Sequence, residues 1–236
     1  MLRRLAPALV LFALLGISCA QAAEPLLTTS YNAQYKGFDL VLVRTLTPLG
    51  NSRFVFESRA GGPIARIEES STFRIDANGR WTPEHYRYNR SVLGISKEYE
   101  LRFDAANSSV TYSNNKGQHQ IGIPPATLDP LLYQLRLQQD LARQSGDYHY
   151  RFVSRGKLKD YRFTVTGNEK LTLNGRKTDT LRLSKQNNDA GQETLIWFSP
   201  DNGYQLVRLR HTEDNDSYTI SLGKLQQSPA FSAWLY

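Results

Sequence analysis

Cysteine is almost absent from this chain, with Cys19 as its single example in 236 residues. That residue falls within an N-terminal segment that the sequence predicts to be removed. The remaining chain would hold no thiol, which excludes disulfide bonds, thiol catalysis and cysteine-ligated metal sites. A fold without such cross-links depends on its hydrophobic core, and a chain of this length can bury one as a single domain.

Long blocks of like charge are also missing, although the formal net charge is +7. Lysines and arginines are interspersed with acids, which is typical of the solvated face of a β-sheet and argues against a nucleic-acid surface. Beyond the N-terminus, no apolar run is long enough to cross a membrane as a helix. We therefore predict neither nucleic-acid binding nor a transmembrane segment in the mature chain.

The first 22 residues have the three parts of a secretory signal peptide. Arg3 and Arg4 supply the positive start, residues 5–17 are apolar, and Ala20 and Ala22 bracket a small-residue cleavage site. The apolar stretch is short for a membrane anchor. The sequence therefore predicts a periplasmic protein whose signal peptide, residues 1–22, is cleaved near Ala22.

The mature chain, residues 23–236, reads as one domain, because no change of composition and no low-complexity linker divides it. Lipid attachment at Cys19 is disfavoured, since Gly16 stands where lipoproteins usually carry leucine. We predict a chain that is released after cleavage, with a lipid anchor at Cys19 as the disfavoured alternative.

Recognisable catalytic motifs are missing as well. The sequence holds no Gly-x-Ser-x-Gly elbow and no glycine loop between a strand and a helix. Four histidines lie in predicted strands without a second metal ligand at zinc spacing. They are His85, His119, His149 and His211. Glu68 and Glu69 are adjacent in a predicted strand and so point to opposite faces. We predict no enzymatic activity, no cofactor and no metal site.

What the chain has in abundance is period-two alternation of apolar and polar residues, which predicts antiparallel strands with one buried face. Phe38, Leu40 and Leu42 share one phase, and Arg44 is next in the same phase. Turn signals such as Asn174-Gly175 separate many such segments. A sheet of that size tends to curl, because a flat open edge invites aggregation. The sequence predicts a mainly β fold, either a curved antiparallel sheet or a half-barrel.

One stretch has helical periodicity instead. Asp129 is a suitable N-cap, Pro130 suits the first helical position, and Gly146 supplies a stop. Leucines recur between them at helical spacing. We predict one helix near residues 129–145, packed on the concave face of the sheet, where its broad apolar surface finds partners.

Aromatic residues are frequent, with 13 tyrosines and 10 phenylalanines, and many fall at alternate strand positions. They form an ordinary core, or they line an apolar groove that a curved sheet leaves beneath its helix. In the second case the groove would hold an acyl chain or another apolar molecule. The predicted ligand-binding residues are Leu131, Leu135, Tyr99, Phe103 and Trp197.

Five segments resemble an uncharacterised family of exported bacterial proteins, domain of unknown function family 3108. They are residues 66–73 (RIEESSTF), 83–86 (PEHY), 128–136 (LDPLLYQLR), 195–201 (LIWFSPD) and 206–209 (LVRL). The resemblance covers nearly the whole mature chain and implies a cell-envelope location. It transfers no activity and no catalytic residue.

Residues 161–222 carry a weaker resemblance, to the C-terminal half of periplasmic lipoprotein carriers. The shared order runs from Gly167 through residues 181–183 (LRL) to 197–201 (WFSPD) and 207–209 (VRL). Those carriers fold as an unclosed barrel capped by helices around an apolar cavity. The resemblance therefore implies a curved antiparallel sheet here as well.

The leading hypothesis is a non-enzymatic envelope module that binds an apolar small molecule, a lipid or an envelope protein. One alternative is an envelope hydrolase whose site gathers residues such as Glu84, His85 and Asp129 from distant positions. Another is a scaffold protein that pairs with its partner through an exposed sheet edge.

Overall fold

The computed structural model describes residues 23–35, 38–63, 65–186, 190–214 and 216–236. The predicted signal peptide, including Cys19, lies outside these residues. Within them, no helix is both long enough and apolar enough to cross a membrane.

Most of the described chain is β-strand. The strands are β1 (Leu27–Tyr35), β2 (Phe38–Gly50), β3 (Arg53–Gly61), β4 (Ala65–Ile75), β5 (Trp81–Val92), β6 (Ile95–Asp104), β7 (Ser109–Asn114), β8 (Gly117–Gly122), β9 (His149–Ser154), β10 (Lys157–Leu173), β11 (Arg176–Lys185), β12 (Gln192–Ser199), β13 (Gln205–Glu213) and β14 (Asp216–Gln227). The helices are α1 (Leu132–Ala142) and α2 (Pro229–Leu235), with a 3-10 turn at Pro200–Asn202.

All 14 strands belong to one sheet, in the order β8-β7-β6-β5-β4-β3-β2-β1-β14-β13-β12-β11-β10-β9. Every neighbouring pair is antiparallel. Strands β1 to β8 form one meander and β9 to β14 a second, and the two join where Leu27 of β1 lies opposite Gln227 of β14. Strands β8 and β9 are left as edges, so the sheet is not closed by strand pairing. The predicted mainly β, curved antiparallel fold is confirmed.

Helix α1 connects the two edge strands and lies within the predicted stretch, residues 129–145. The Asp129 carboxylate accepts hydrogen bonds from the backbone N–H groups of Leu131, at 3.0 Å, and Leu132, at 2.8 Å. These bonds satisfy donors that have no partner within the helix. The regular helix ends at Ala142 and is therefore shorter than predicted at both ends.

The prediction of one helix is wrong in number, because the described residues include α2 as well. This helix has seven residues and a proline in its first turn, which is too short for an apolar period to stand out. Phe231 and Leu235 are buried one turn apart. Trp234 stacks on Phe231, with ring centroids 5.6 Å apart, and meets the edge of Trp81 at 5.8 Å. Helix α2 thus covers one end of the core.

The sheet wraps around α1, since strands of both meanders bury side chains in one cluster with the helix. Members of this cluster include Leu46, Phe73, Tyr86, Leu101, Phe163, Leu183 and Phe198 from the sheet and Leu131, Leu132 and Leu135 from the helix region. We call the face that carries this cluster the concave face and the opposite one the outer face. The helix thus packs on the concave face, as predicted.

The two ends of the sheet meet through side chains. A row of rings crosses β5 to β8 on the concave face, with neighbouring centroids between 5.0 and 5.6 Å apart. Its members are Tyr88, Tyr99, Tyr112 and His119. The β9–β10 turn packs on this row, because a Cβ atom added to Gly156 would lie 3.1 Å from His119 Nε2. We call this contact the seam.

Part of the β9 edge is covered by the segment that precedes α1. The Leu128 N–H donates to the Arg151 carbonyl at 2.9 Å, and the Val153 N–H donates to the Leu128 carbonyl at 3.0 Å. A single residue thereby occupies backbone groups that would otherwise be open to another strand.

Because antiparallel strands reverse at every turn, alternate turns share one end of the sheet. The β1–β2, β3–β4, β5–β6 and β7–β8 turns lie at what we call the upper end. The β2–β3, β4–β5 and β6–β7 turns lie at the lower end.

Candidate functional site

The candidate site is a cavity of about 60 Å³ between α1 and the concave face. Most of its wall is apolar, with contributions from both meanders and from the helix. The apolar members include Leu27, Phe56, Leu135, Phe163 and Phe198, and the polar members are Thr29, Arg44, Gln134, Gln138 and Gln205.

Arg44 projects from β2 into the wall of this cavity. Its Nη2 donates to Gln134 Oε1 at 2.8 Å, and its guanidinium carbon lies 5.8 Å from the centre of the Tyr31 ring. The Nε atom is buried and has no hydrogen-bond partner among the described residues. Within the same residues, no carboxylate lies at ion-pair distance from this guanidinium.

Thr29 lies directly opposite Arg44 in the β1–β2 register. Its side chain is 1% exposed, and its Oγ1 has no hydrogen bond of standard geometry to any described residue. Buried polar atoms are normally satisfied by protein or water. Thr29 Oγ1 and Arg44 Nε, neither of which has a hydrogen bond of standard geometry, thus belong to neighbouring residues in the wall of a mainly apolar cavity.

Among acids on the concave face, Glu69 is nearest to Arg44 in the strand register. It shares a cross-strand row with Arg44, and Ser58 lies between them. Burial raises the pKa of the Glu69 carboxyl, and the Arg44 charge and the Tyr86 hydroxyl lower it in part. The charge of Arg44 thus acts on Glu69, but among the described residues no ion pair joins the two side chains.

Asp129, at the start of α1, is a fully buried acid. Besides its two bonds to backbone N–H groups, its Oδ2 accepts from the Ser71 hydroxyl at 2.5 Å. Burial raises the pKa of Asp129 to about 7, although the bonds from Ser71, Leu132 and Leu131 act in the opposite direction. This carboxyl holds the helix to β4 and does not line the cavity.

Three polar side chains of α1 fasten the helix within the sheet. Gln138 Nε2 donates to the Gly203 carbonyl at 2.9 Å. Gln139 Oε1 accepts from Trp81 Nε1 at 3.1 Å, and its Nε2 donates to the Trp234 carbonyl at 3.1 Å. Asp140 accepts from Arg136 at 2.8 Å and from the Tyr150 hydroxyl at 2.9 Å. These bonds oppose any displacement of the helix.

The structure brings together some of the predicted ligand-binding residues. Leu131 and Leu135 are both buried against the sheet, and Leu135 lines the cavity whereas Leu131 does not. Tyr99 and Phe103 project from β6 onto the concave face and pack against the same core. Tyr99 belongs to the seam rather than to the cavity wall.

Trp197 lies on the outer face, which corrects its predicted placement beneath the helix. Its neighbours in β12, Ile196 and Phe198, belong to the core around α1. Trp197 instead packs with Leu171 and Val207 in a separate small cluster. Because successive side chains of a strand point to opposite faces, Trp197 cannot lie on the concave face when Ile196 and Phe198 do.

Arg44 and Thr29 were not among the predicted site residues. The sequence does contain a signal for Arg44, since it continues the inward phase of Phe38, Leu40 and Leu42. A charged residue in an inward phase is informative because burial of a charge is costly unless something pairs with it. Thr29 carries no comparable signal, because threonine is common on either face of a strand.

The residues of the hydrolase alternative do not converge. The Glu84 carboxylate binds Arg53 at 2.8 Å and Arg74 at 3.3 Å, and Asp129 is buried at the start of α1. His85 Nε2 lies 2.9 Å from Glu100 Oε2, and this hydrogen bond holds the pKa of Glu100 below its usual value.

Glu100 also lines a groove of about 590 Å³ that crosses β3 to β7. Half of the residues that line the groove are charged. Most of the groove lies on the outer face, where Glu57 pairs with Arg59 at 2.6 Å and Glu100 with Arg102 at 3.1 Å. In the part of the chain that the structure describes, no three histidine, cysteine or acidic residues are grouped to hold a metal ion.

A family model described as "Protein of unknown function (DUF3108)" matches residues 30–223. The chain belongs to this family. The predicted membership is confirmed, and the family's description assigns no activity. Among curated proteins, none matches the chain.

A crystal structure of a β-barrel-like protein of domain of unknown function DUF1849, from Brucella abortus, has a similar fold. The TM-score is 0.53 at 9% sequence identity, and the match covers 88% of this chain and 100% of that chain. This likeness concerns the fold alone. It agrees with the curved sheet that the resemblance to lipoprotein carriers implies.

Proposed function

We propose that this protein is a non-enzymatic binding module that acts outside the cytoplasm, and that its ligand is a small apolar acid. The observation that carries the proposal is Arg44, a charged side chain in the wall of a largely apolar cavity and without a carboxylate partner among the described residues. The signal-peptide character of residues 1–22 supports the location.

The chemistry of the cavity favours an anion. The half-buried guanidinium of Arg44 loses part of its hydration and regains little free energy unless an anion or several hydrogen bonds replace the water. A ligand carboxylate could accept from the free Nε of Arg44 and from the Thr29 hydroxyl opposite it. Charge-assisted bonds of this kind are stronger than neutral ones. The apolar part of the ligand would contact Leu27, Phe56 and Leu135.

The size of the cavity limits the ligand. Sites for drug-sized molecules measure about 300–1,000 Å³, whereas one water needs about 10–15 Å³. A cavity of about 60 Å³ holds a carboxylate and a few carbon atoms. A long acyl chain fits only if α1 moves, and the hydrogen bonds of Gln138, Gln139 and Asp140 oppose that. We therefore propose short-chain monocarboxylates as the ligand class.

Calorimetric titration with acetate, butyrate, hexanoate and decanoate tests this proposal. We expect butyrate to bind, decanoate not to bind, and the uncharged amide of butyrate to bind about 10-fold more weakly or worse. Arg44→Gln should abolish binding, and Thr29→Val should weaken it about 5-fold.

Thr45→Val is the matched control, because Thr45 lies next to Arg44 on β2 but faces the outer side. Its affinity should stay within about twofold of the native value. Arg44→Met reports on folding, since replacing a half-buried charge that has no ion pair by an apolar side chain should leave the melting temperature unchanged or raise it. Absence of binding by all four acids, or equal binding by Arg44→Gln, would overturn the proposal.

A hydrolase is the second candidate, and one contact favours it. His85 and Glu100 lie 2.9 Å apart beside a groove whose wall includes Ser70 and Ser113. A histidine held by a carboxylate supplies two of the three parts of a nucleophile-activating triad. We expect no hydrolysis of nitrophenyl esters above the buffer rate. A rate that His85→Ala removes would replace the binding module by an enzyme.

A further inference from the structure

The β5–β6 hairpin ends in strongly exposed apolar side chains at the upper end of the sheet. Leu93 is 73% exposed and Ile95 is 69% exposed. Leu93 also has a φ of 49°, a left-handed conformation that asparagine or glycine adopts far more readily than leucine. The turn therefore keeps an apolar side chain in water at a position where a polar residue would fold with less strain.

Two cations lie below this tip. Arg90 and Lys97 are direct cross-strand partners, and like charges in that position repel each other. Lys116, in the adjacent β7–β8 turn, adds a third cation. None of the three makes an ion pair with an acid in the described ranges. Glu98 is next to Lys97 in the chain but faces the other side of β6.

The distance between the apolar tip and the cations suits a lipid interface. A strand rises about 3.3 Å per residue, so Leu93 lies about 10 Å beyond Arg90 along the hairpin. Apolar groups of interfacial segments enter about 5–10 Å into the boundary between headgroups and acyl chains. With Leu93 and Ile95 at that depth, Arg90 and Lys97 are level with the lipid phosphates.

We propose that the β5–β6 hairpin docks the protein on an anionic phospholipid surface. Leu93 and Ile95 enter the interface, and Arg90, Lys97 and Lys116 bind the phosphates. A folded protein partner is a poorer match, because a stable protein interface needs about 1,000 Å² or more of complementary surface and the strongly exposed apolar side chains of this hairpin are only Leu93 and Ile95. The proposal goes beyond the ligand-binding function and does not depend on it.

Co-sedimentation with vesicles tests the docking surface. The full chain, recovered from the periplasm with its N-terminus read by mass spectrometry, is mixed with vesicles of phosphatidylcholine alone or with about 30% phosphatidylglycerol. We expect preferential binding to the anionic vesicles. Leu93→Ser with Ile95→Ser should lower that binding about 10-fold. Arg90→Gln with Lys97→Gln should lower it about 30-fold and remove the preference for phosphatidylglycerol.

Leu49→Ser is the matched control, since Leu49 is 49% exposed and lies near the β2–β3 turn at the lower end. All variants share one N-terminus, so its contribution cancels, and equal melting temperatures establish that each is folded. Binding within about twofold of native for Leu49→Ser supports the proposal. Equal binding to both vesicle types, no binding to either, or an equal loss in Leu49→Ser overturns it.

Discussion

Asp129 joins the start of helix α1 to the sheet through a carboxyl group that can itself take up a proton. Its carboxyl holds the first turn of α1 and the Ser71 hydroxyl at once. Its pKa is raised to about 7 by burial, so the folded protein binds this proton more tightly than the unfolded chain does. The contribution of Asp129 to the free energy of unfolding then falls as pH rises from about 4 to about 7, and the loss is complete above that range.

We expect Asp129→Asn to remove most of this pH dependence. The amide oxygen can still accept from the N–H groups of Leu131 and Leu132, but the side chain no longer titrates. Urea unfolding at about pH 5 and about pH 8 measures the difference. The native protein should lose more stability between the two than the variant does.

Glu69 leaves a residual slope of the same sign in the variant, because burial raises the pKa of that carboxyl too. Asp39→Asn, an exposed position near the β1–β2 turn, serves as the control and should keep the native slope. An unchanged slope in Asp129→Asn would show that Asp129 is ionised throughout this range in the folded protein.

At this scale the sequence predicts the face on which a side chain lies better than it predicts its partners. Alternation correctly separates Glu68, which pairs with Arg66, from Glu69, which faces inward. It also puts Arg44 in an inward phase. Whether an acid reaches Arg44 depends on strands that pair across the sheet, and local spacing does not contain that information.

Helix α1 is the element that the rest of the core surrounds. Leu132 is fully buried within it and contacts a cluster drawn from both meanders. We expect Leu132→Ala to lower the free energy of unfolding by about 2–5 kcal/mol, because it leaves a cavity that a surrounding sheet cannot readily close. Denaturant unfolding gives the value.

Leu49→Ala provides the comparison for this substitution, since the same atoms are removed at an exposed site. Its cost should stay within about 0.5 kcal/mol. Equal costs at the two positions would mean that α1 packs loosely and that the sheet is stable without it.

Elements with a strong local signal are the ones that sequence predicts. Asp129 and Pro130 mark the start of α1, and period-two alternation marks the strands. Helix α2 has no such signal, because its seven residues are held by tertiary contacts of Phe231 and Leu235. The burial of Trp197 on the outer face also depends on contacts between residues that are distant in the sequence. One such contact holds the β10–β11 hairpin against β14, where the Asn174 side chain donates to the Gly223 carbonyl at 3.1 Å.

At the scale of the whole molecule, the seam is the side-chain contact that holds the two ends of the curved sheet together. Gly156 has a φ of 72°, and a Cβ there would lie 3.1 Å from His119 Nε2 and 3.3 Å from Tyr112 Cδ1. Gly175 has a similar φ of 80° with no atom within 4 Å of its Cβ position. Both glycines therefore need a left-handed backbone conformation, but only a side chain at Gly156 would contact neighbouring atoms.

We expect Gly156→Ala to destabilise the protein by about 1 kcal/mol more than Gly175→Ala does. Both variants pay the cost of a left-handed alanine, and only the first also pushes against the seam. Urea unfolding of the two variants measures the difference, and adding His119→Ala should reduce it. Equal destabilisation would mean that the β9–β10 turn shifts without resistance.

The pairing of β1 with β14 has a consequence for how the chain reaches its final form. The two partners stand at opposite ends of the sequence, with Leu27 opposite Gln227, so nearly the whole polypeptide must be looped before they meet. During synthesis from the N-terminus, strands β1 to β8 are made before β14, so the backbone groups of β1 that pair with β14 have no hydrogen-bond partner until then. Pairing between strands so distant in the sequence is slow. The chain can therefore finish folding only after its last strand has been synthesised.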